Sequence, residues 1–454
     1  MALSPLMKAY TKQRGRGIYM LAILGFAMVC TFMFLIMTNR LTPLIALMVI
    51  PVIFAIIGGF TTDIGEMALA GVKELAPTGV MLMFAILYFG IMIDAGLFDP
   101  VVGKILKIVK GDPLKITVGT AILVLTISLD GDGTTTYMIT LSAMLPLYKK
   151  LNMSTMMLAC IAIMGSGVMN LTPWGGPTAR AMSALNLDAS QVFTPLIPAM
   201  VGGAIWVIFT AYLFGKKERQ RLGVIDLKDI SPVQVAFAEQ AAAVEQPSYK
   251  RPKLLYVNLG LTILLMVGLI SGIMPLQILF MIAFAIAIMI NYPNLETQKE
   301  RITAHAGNVL AVVSLVFAAG IFTGILSGTK MVDAMGNSLV SLIPDALGPY
   351  MSVITAITSM PFTFFMSNDA YYYGILPIIA QAAATYGIDA AEIARASLIG
   401  QPVHLLSPLV ASTYLLVGMA KVDLGEFQRY TLKWTIGTSM VMLLVAIITG
   451  VITL

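Results

Sequence analysis

Apolar runs of about twenty residues recur along this chain, and they constrain its fold more than any other feature. They fall at about 18–37, 41–59, 78–95, 196–215, 254–271, 273–290, 308–326 and 435–454. A helix rises about 1.5 Å per residue, so each run is long enough to cross the roughly 30 Å hydrocarbon core of a bilayer. Charge agrees with this: of 454 residues, 28 are Lys or Arg and 23 Asp or Glu, and the mean hydropathy is +0.89. A soluble chain carries charge on about a quarter of its residues; here the share is 11%. Such a chain cannot clothe a water-facing surface, which excludes a soluble enzyme, a nucleic-acid binder and a disordered regulator. The net charge of +5 therefore needs another explanation than an anionic partner.

Cys30 and Cys160 lie in apolar runs and form no C-x-x-C pair, and His305 and His404 are too few for a histidine metal cage. The basic stretch Lys8–Arg16 before the first run has the outline of a secretory signal. That run is too long, however, lacks a small-x-small cleavage site and is followed at once by another span. It reads as a first transmembrane helix after an N-terminal extension, 1–17. Residues 216–253 are charge-rich, with an Ala/Gln/Pro-rich middle, and read as an extramembrane linker.

The two halves flanking that linker echo each other. Leu41-Thr-Pro-Leu matches Ile273-Met-Pro-Leu at an offset of 232, Asp132 matches Asp369 at 237, and Thr172-Pro173 matches Ser407-Pro408 at 235. Three matches in one order at nearly constant spacing indicate an internal duplication. The expected fold is an all-α polytopic membrane protein of two inverted-topology repeats, each with about five crossings, one re-entrant hairpin and one broken helix. The first repeat, 18–215, holds scaffold helices at 18–95, a hairpin and broken helix at 113–185 and a helix at 196–215. The second, 254–454, holds the counterparts at 254–326, 344–420 and 435–454. A cytoplasmic linker then puts Arg40, Lys104, Lys107, Lys110, Lys115, Lys149, Lys150, Lys299, Arg301, Lys421, Arg429 and Lys433 on the inner side as well. Lys73, Lys330 and the N-terminal cluster fall outside, so the basic residues favour the linker's side. Net positive charge thus reports orientation, and only Arg180 and Arg395 are left within the membrane.

Ser128-Leu-Asp130-Gly-Asp132-Gly-Thr-Thr-Thr136 sets two carboxylates and two glycines between the apolar runs 114–129 and 137–147. Neither run spans comfortably, which a re-entrant hairpin resolves, its tip lining a polar cavity. Gly131 and Gly133 admit backbone conformations that other residues resist. Thr134, Thr135 and Thr136 place hydroxyls at the start of the returning helix, whose N-terminus favours anions. The alternative is a capped polar loop, but an ionised Asp at the membrane centre costs at least about 2.5–3.5 kcal/mol. Ser367, Asn368 and Asp369 form the tip of a second hairpin entering from the opposite side, with a surface loop as the alternative.

Asn170-Leu-Thr-Pro-Trp-Gly-Gly-Pro-Thr178 breaks a helix expected over 155–184. Pro173 and Pro177 remove backbone donors and Gly175 and Gly176 loosen the chain, so polar groups around Asn170 and Thr172 become available at mid-membrane. Gln401-Pro-Val-His-Leu-Leu-Ser-Pro408, with His404 and Ser407, is the partner break. His404 either hydrogen-bonds within the bundle or contacts a ligand. Arg180 either meets a substrate or pairs with a backbone carbonyl; Arg395 either meets a substrate or pairs with Glu392 one turn earlier. Asp94 reads first as a helix-end residue, and Tyr371, Tyr372 and Tyr373 as packing.

By these motifs the chain resembles the citrate–metal–proton symporter (CitMHS) family of bacterial secondary transporters, from about Met20 to the C-terminus. The stretches that carry the resemblance are Phe84-Ala-Ile-Leu-Tyr-Phe-Gly-Ile-Met-Ile-Asp-Ala-Gly-Leu-Phe-Asp-Pro100, Leu129-Asp-Gly-Asp-Gly-Thr-Thr-Thr-Tyr-Met-Ile-Thr140 and Met169-Asn-Leu-Thr-Pro-Trp-Gly-Gly-Pro-Thr-Ala-Arg180. The resemblance implies import of citrate complexed with a divalent metal ion, together with protons, across the bacterial cytoplasmic (inner) membrane. The family is similar in turn to a wider ion-transporter superfamily, whose site is built from two opposed hairpin tips with Ser-Asn-Thr-type motifs and two helices broken at Thr-Pro or Ser-Pro. Ser367-Asn368 matches the tip motif, and Thr172-Pro173 and Ser407-Pro408 match the breaks. At the first tip Asp130-Gly-Asp132-Gly replaces Ser-Asn, which speaks against a simple sodium site there. An elevator-type motion and a homodimer are implied by the resemblance alone.

Charge points the same way. Asp130, Asp132 and Asp369 face Arg180 and Arg395, and a bare citrate trianion would add severe repulsion in a poorly solvated pocket. A chelated divalent cation lowers the substrate to about −1, and hard oxygen ligands suit Mg2+ or Ca2+. The expected substrate-binding set is Thr134, Thr135, Asn170, Thr172, Gly175, Gly176, Arg180, Ser367, Asn368, Arg395, His404 and Ser407; Asp130, Asp132 and Asp369 hold metal or protons. No prosthetic group is expected, the metal travels with citrate, and the surroundings are a lipid bilayer. The competing readings are a sodium-coupled carrier of metal-free di- or tricarboxylates and, more distantly, an intramembrane aspartyl protease. The protease needs two carboxylates on intact facing helices, not beside glycines in interrupted segments.

Overall fold

The structure, a computed structural model, describes residues 5–38, 40–109, 111–131, 133–223, 249–271, 273–340 and 344–453. Asp132, Lys110 and residues 224–248 of the linker lie outside the described residues, among which there are helices and turns and no strand. The first half runs α1 (Pro5–Met37), α2 (Pro43–Ile57), α3 (Ile64–Asp94), the short amphipathic α4 (Asp99–Val109) and α5 (Pro113–Ile127). A 3-10 turn (Ser128–Asp130) then leads to α6 (Gly133–Lys150), α7 (Thr155–Met169), α8 (Gly176–Leu185) and α9 (Ala189–Leu222).

The second half runs α10 (Leu255–Ser271), α11 (Leu276–Asn291), α12 (Leu295–Gly328), α13 (Met331–Val340) and α14 (Met351–Phe365). A π-helical turn (Ala370–Ile375) leads to α15 (Leu376–Ala384), α16 (Ala390–Leu398), the single turn α17 (Gln401–His404), α18 (Ala411–Ala420) and α19 (Leu424–Ile448). Seven of these helical segments are long and apolar enough to cross a bilayer: Tyr19–Ile36, Ile64–Asp94, Pro113–Asp130, Ala189–Leu222, Pro252–Leu269, Leu295–Gly328 and Leu424–Ile448. Shorter apolar helices at Pro43–Ile57, Thr155–Met169, Leu276–Asn291 and Ala411–Ala420 lie between them.

Helix starts recur at a constant spacing. Thr155 and Ala390, Gly176 and Ala411, and Ala189 and Leu424 each open helices 235 residues apart. The same distance separates two left-handed caps, Asn186 (φ 54°) and Lys421 (φ 55°), and two N-caps, Asp188 and Asp423. Asp188 Oδ1 accepts from the Ser190 and Gln191 N–H groups while Gln191 reaches back to the Asp188 N–H; Asp423 accepts from Glu426 N–H.

Several helices outrun the apolar stretches that mark them. The helix expected at 196–215 runs from Ala189 to Leu222, so the expected linker start at 216 is still helical. Lys, Glu, Gln and Arg are good helix formers, and this end is tied down by Arg219 to Asp112 at 3.2 Å and Arg221 to Glu218 at 2.6 Å. The last helix opens at Leu424 rather than 435 because Asp423 caps it there, and it stops at Ile448; Val451 and Ile452 beyond it are buried. The first helix likewise opens at Pro5, inside the stretch read as an extension.

Two kinds of packing organise these helices. Helices α3 and α12 run against each other through glycine: a Cβ on Gly71 would lie 2.0 Å from Gly320 O, and one on Gly324 2.3 Å from Met67 O. Only small residues let two backbones come that close. At one end of this pair Asp94 Oδ2 accepts from His305 Nε2 at 2.8 Å and pairs with Arg301 at 3.4 Å, so the helix-end aspartate joins α3 to α12. Elsewhere the halves interleave: α8 packs on α16 and on the π-helical turn, α7 on α17, and α6 on α18. That interleaving builds the site.

Candidate functional site

Each helix pair with a tip is opposed by a break. In the first half α7 ends at Met169, where Asn170 N–H still reaches Ser166 O at 2.8 Å, and the chain then turns through 170–175 before α8. Pro173 cannot continue the helical ladder. Gly175 N–H closes the turn on Thr172 O at 2.8 Å, and a Cβ on Gly175 would lie 2.0 Å from Asn170 O, so only glycine fits. In the second half α17 ends at His404 and the chain turns through 405–410 before α18. Here Ser407 Oγ accepts from Leu409 N–H at 3.2 Å. The broken helices cross where a Cβ on Gly167 would meet Pro402 Cα at 2.7 Å.

The first tip follows the 3-10 turn that ends at Asp130. Gly131 reverses the chain with φ +80°, and Thr134 and Thr135 lie in the first turn of α6, exposed and half-buried respectively. Below them Thr136 Oγ1 donates to Ser128 Oγ at 3.1 Å across the base of the hairpin. The tip is held from the first break: the Trp174 indole N–H donates to Leu129 O at 2.8 Å. It also lies against the second break, with Ser412 Oγ 3.3 Å from where a Gly133 Cβ would stand.

The second tip, 366–369, is held by side chains. Ser367 Oγ accepts from Ala370 N–H at 3.2 Å, capping the returning segment. Asn368 and Gln401 exchange amide hydrogen bonds, Gln401 Nε2 to Asn368 Oδ1 at 3.1 Å and Asn368 Nδ2 to Gln401 Oε1 at 3.4 Å. Gln401 Nε2 donates as well to Tyr372 OH at 2.8 Å. His404 Nδ1–H donates to Thr363 O at 2.5 Å, tying the second break to its own hairpin.

Between the tips and breaks the two halves meet in an ion pair. Arg180 Nε, on α8, donates to Asp369 Oδ1 at 2.6 Å, with side chains 23% and 13% exposed. The same guanidinium donates from NH1 to Gly176 O at 3.0 Å, and Tyr373 OH and Ser183 Oγ pair beside it at 3.1 Å. Thr172 Oγ1, in the first break, is buried with no hydrogen-bond partner among the described residues. Two surface grooves, of about 610 Å³ beside Asn152 and Arg221 and 520 Å³ beside Leu87 and Leu310, have no residue of this cluster in their walls.

Of the residues singled out in the sequence, the structure gathers Asp130, Thr134, Thr135, Asn170, Thr172, Gly175, Gly176, Arg180, Ser367, Asn368, Asp369, His404 and Ser407 into the two tips and the two breaks. Asp132 lies outside the described residues. Arg395 is not brought there: its Nε donates to Val451 O at 3.1 Å and its NH1 to Gln191 O at 2.9 Å. Glu392, one turn earlier, attracts it electrostatically, while Glu392 Oε1 accepts from the Thr453 N–H and Oγ at 2.8 and 2.7 Å. The arginine caps carbonyls that approach from remote parts of the chain, which sequence spacing cannot reveal. Sequence reasoning also gave no role to Gln401 or Trp174, and it read Tyr372, here a partner of Gln401, as packing. Gln401 opens the second break and Trp174 sits inside the first, and a polar or amphipathic side chain beside a helix-breaking proline is the signal that could have found both. Among the described residues, no three His, Cys, Asp or Glu side chains cluster as a metal cage.

Known proteins share both the sequence and the architecture. The citrate transporter family, CitMHS, matches residues 32–400. A "Citrate transporter" of Bacillus subtilis is 66% identical over 433 residues, covering 95% of this chain and all of that one. A "Mg(2+)/citrate complex secondary transporter" of the same organism is 56% identical over 436 residues, covering 96% and all of that one. Among solved structures, the YdaH transporter of Alcanivorax borkumensis is 14% identical with a TM-score of 0.53, over 86% of this chain and 88% of its own. MtrF of Neisseria gonorrhoeae is 13% identical with a TM-score of 0.58, over 85% and 83%. These two share the fold. The sequence matches go further, and by them the chain belongs to the citrate transporter (CitMHS) family.

Proposed function

We propose that this protein is a secondary active transporter that imports citrate complexed with a divalent metal ion, coupled to protons, by alternating access across the bacterial cytoplasmic membrane. The observation that carries this reading is the Arg180–Asp369 ion pair. With Arg395 engaged elsewhere, the arginine at the tips already has an anionic partner. A bare citrate trianion would have to displace Asp369 and then sit beside a first tip whose sequence carries two more aspartates. A metal–citrate complex of charge about −1 avoids that, because the metal's outer positions take carboxylate oxygens that would otherwise repel.

In this reading a citrate carboxylate takes the Arg180 guanidinium, and Thr134, Asn170, Thr172, Ser367, Asn368 and nearby backbone N–H groups bind the rest. Thr172 Oγ1, buried without a partner, gains one. Asp130, Asp132 or Asp369 completes the metal's oxygen shell or carries a proton. The recurrence of helix starts and caps 235 residues apart supports a duplication, which we take as two inverted repeats joined by a cytoplasmic linker that begins after Leu222. The tips and breaks then move as one body past the α3–α12 scaffold, an elevator in a homodimer. Because a substrate can be concentrated only if it favours different states on the two sides, proton or metal occupancy must set that preference.

The test is uptake of labelled citrate into proteoliposomes, crossing Mg2+, Ca2+ or EDTA with an imposed pH gradient. Uptake that needs the divalent ion and rises with an inward proton gradient is the expected result. Uptake that needs Na+ and ignores EDTA would overturn it in favour of a sodium-coupled carrier of metal-free carboxylates.

A further inference from the structure

We infer that Trp174 is a positioning residue: its indole N–H holds the acidic first tip in the register that distinguishes one metal–citrate complex from another. The proposal rests on the metal–citrate reading above. A turn with glycine at 131 and 133 is permissive, so a contact from outside the hairpin helps to set its position. Trp174 supplies that constraint from 45 residues away, donating to the carbonyl of Leu129, the residue before Asp130. Gly131 makes the contact possible, since a Cβ there would stand 2.7 Å from Trp174 Cδ1.

In the conformation seen here the indole is seated against scaffold helices. It is 5% exposed, with ring centroids 4.9 Å from Phe89 on α3 and 5.3 Å from Phe280 on α11. Tyr88 backs both rings and shares a hydrogen bond between its OH and Thr262 Oγ1 on α10 at 2.8 Å. The tip is thereby referenced to helices of both halves. Aromatic packing alone would need the ring but not its N–H; the bond to Leu129 O is what makes the residue more than filler.

Position matters differently for different metals. Mg2+ demands near-ideal octahedral geometry at about 2.0–2.1 Å, whereas Ca2+ tolerates flexible shells at about 2.3–2.6 Å. A tip freed by a few tenths of an ångström loses Mg2+–citrate first. Trp174→Phe keeps a ring in the Phe89/Phe280 seat and removes the N–H together with the second ring of the indole. In proteoliposomes this variant is expected to raise KM about tenfold for Mg2+–citrate and no more than about threefold for Ca2+–citrate, with maximal rate per folded protein within about twofold and the melting temperature lowered by a few degrees. Equal KM shifts for both metals, an unchanged KM, or a fall in maximal rate alone would overturn the proposal.

A second measurement needs no substrate. With Thr134→Cys as the sole cysteine, after Cys30→Ala and Cys160→Ala, maleimide labelling is expected to quicken severalfold when Trp174→Phe is added; an unchanged rate counts against the proposal. Should the wild type carry neither metal complex, the transport reading fails, while this labelling still decides whether Trp174 holds the tip.

Discussion

The two hairpin tips solve the same problem by different means. The first is gripped through its backbone: Trp174 donates to Leu129 O, and no side chain of the Asp-Gly-Asp-Gly turn is needed for that bond. The second is gripped through its side chains: Asn368 is paired with Gln401, and Asp369 with Arg180. The bond that holds the first tip uses no acidic group, whereas the second tip is held partly through Asp369 itself. On the transport reading proposed above, the second tip must therefore exchange holding partners when cargo arrives.

The largest effect expected from breaking this contrast is at the ion pair. Arg180→Ala leaves Asp369 buried without its cation, which costs about 3 kcal/mol of stability, and uptake should fall below a hundredth of wild type. Removing both partners, Arg180→Ala with Asp369→Ala, should recover the melting temperature but not uptake. Recovery of uptake in the double variant would place the pair in the fold rather than in the site.

A double-mutant cycle sharpens the comparison further. Asn368→Ala and Gln401→Ala each should raise the KM for metal–citrate about tenfold, and because the two amides bond each other their effects should overlap by about 1 kcal/mol. Asn368→Ala combined with Trp174→Phe should instead add to within about 0.5 kcal/mol, because the tips are separately held. Coupling of equal size in both cycles would mean that the two grips are one network. Gly131→Ala should be milder. It adds about 1 kcal/mol of left-handed strain at φ +80° and pushes on the indole, for a severalfold loss of uptake. Alanine at Gly133, 3.3 Å from Ser412 Oγ, should stay within about twofold.

What was legible in the sequence was what the backbone alone dictates. Pro173 with Gly175 and Gly176, and Ser407-Pro408, mark breaks because proline and glycine act locally, and the structure breaks at 170–175 and 405–410. Asp130 and Asp369 stood out because a carboxylate among apolar residues is costly wherever it lies. Helix ends were less legible, as at Leu222 and Leu424, because hydropathy reports the lipid-facing part of a helix and not where its hydrogen bonding stops. Partners across the fold were the least legible. Trp174 finds Leu129, and Gln401 finds Asn368, through the crossing of helices that no local pattern encodes.

Arg395 is the case in which that limit reverses a reading. It sits on a short helix next to the second break, so its position along the chain suits a substrate-binding arginine. Its side chain turns the other way, to the carbonyls of Val451 after α19 and Gln191 at the start of α9. Val451 lies past the end of α19, and Gln191 O lacks its usual helical donor because Pro195, four residues on, has no N–H, so the guanidinium satisfies two acceptors that the helical ladder leaves over. Arg395→Gln keeps a donor there and removes the charge. It should cost about 1 kcal/mol of stability and leave the KM for metal–citrate within twofold, the smallest functional effect of the series. A KM raised more than fivefold, at an unchanged melting temperature, would return Arg395 to the site and weaken the charge argument, since a second cation could then offset a bare citrate.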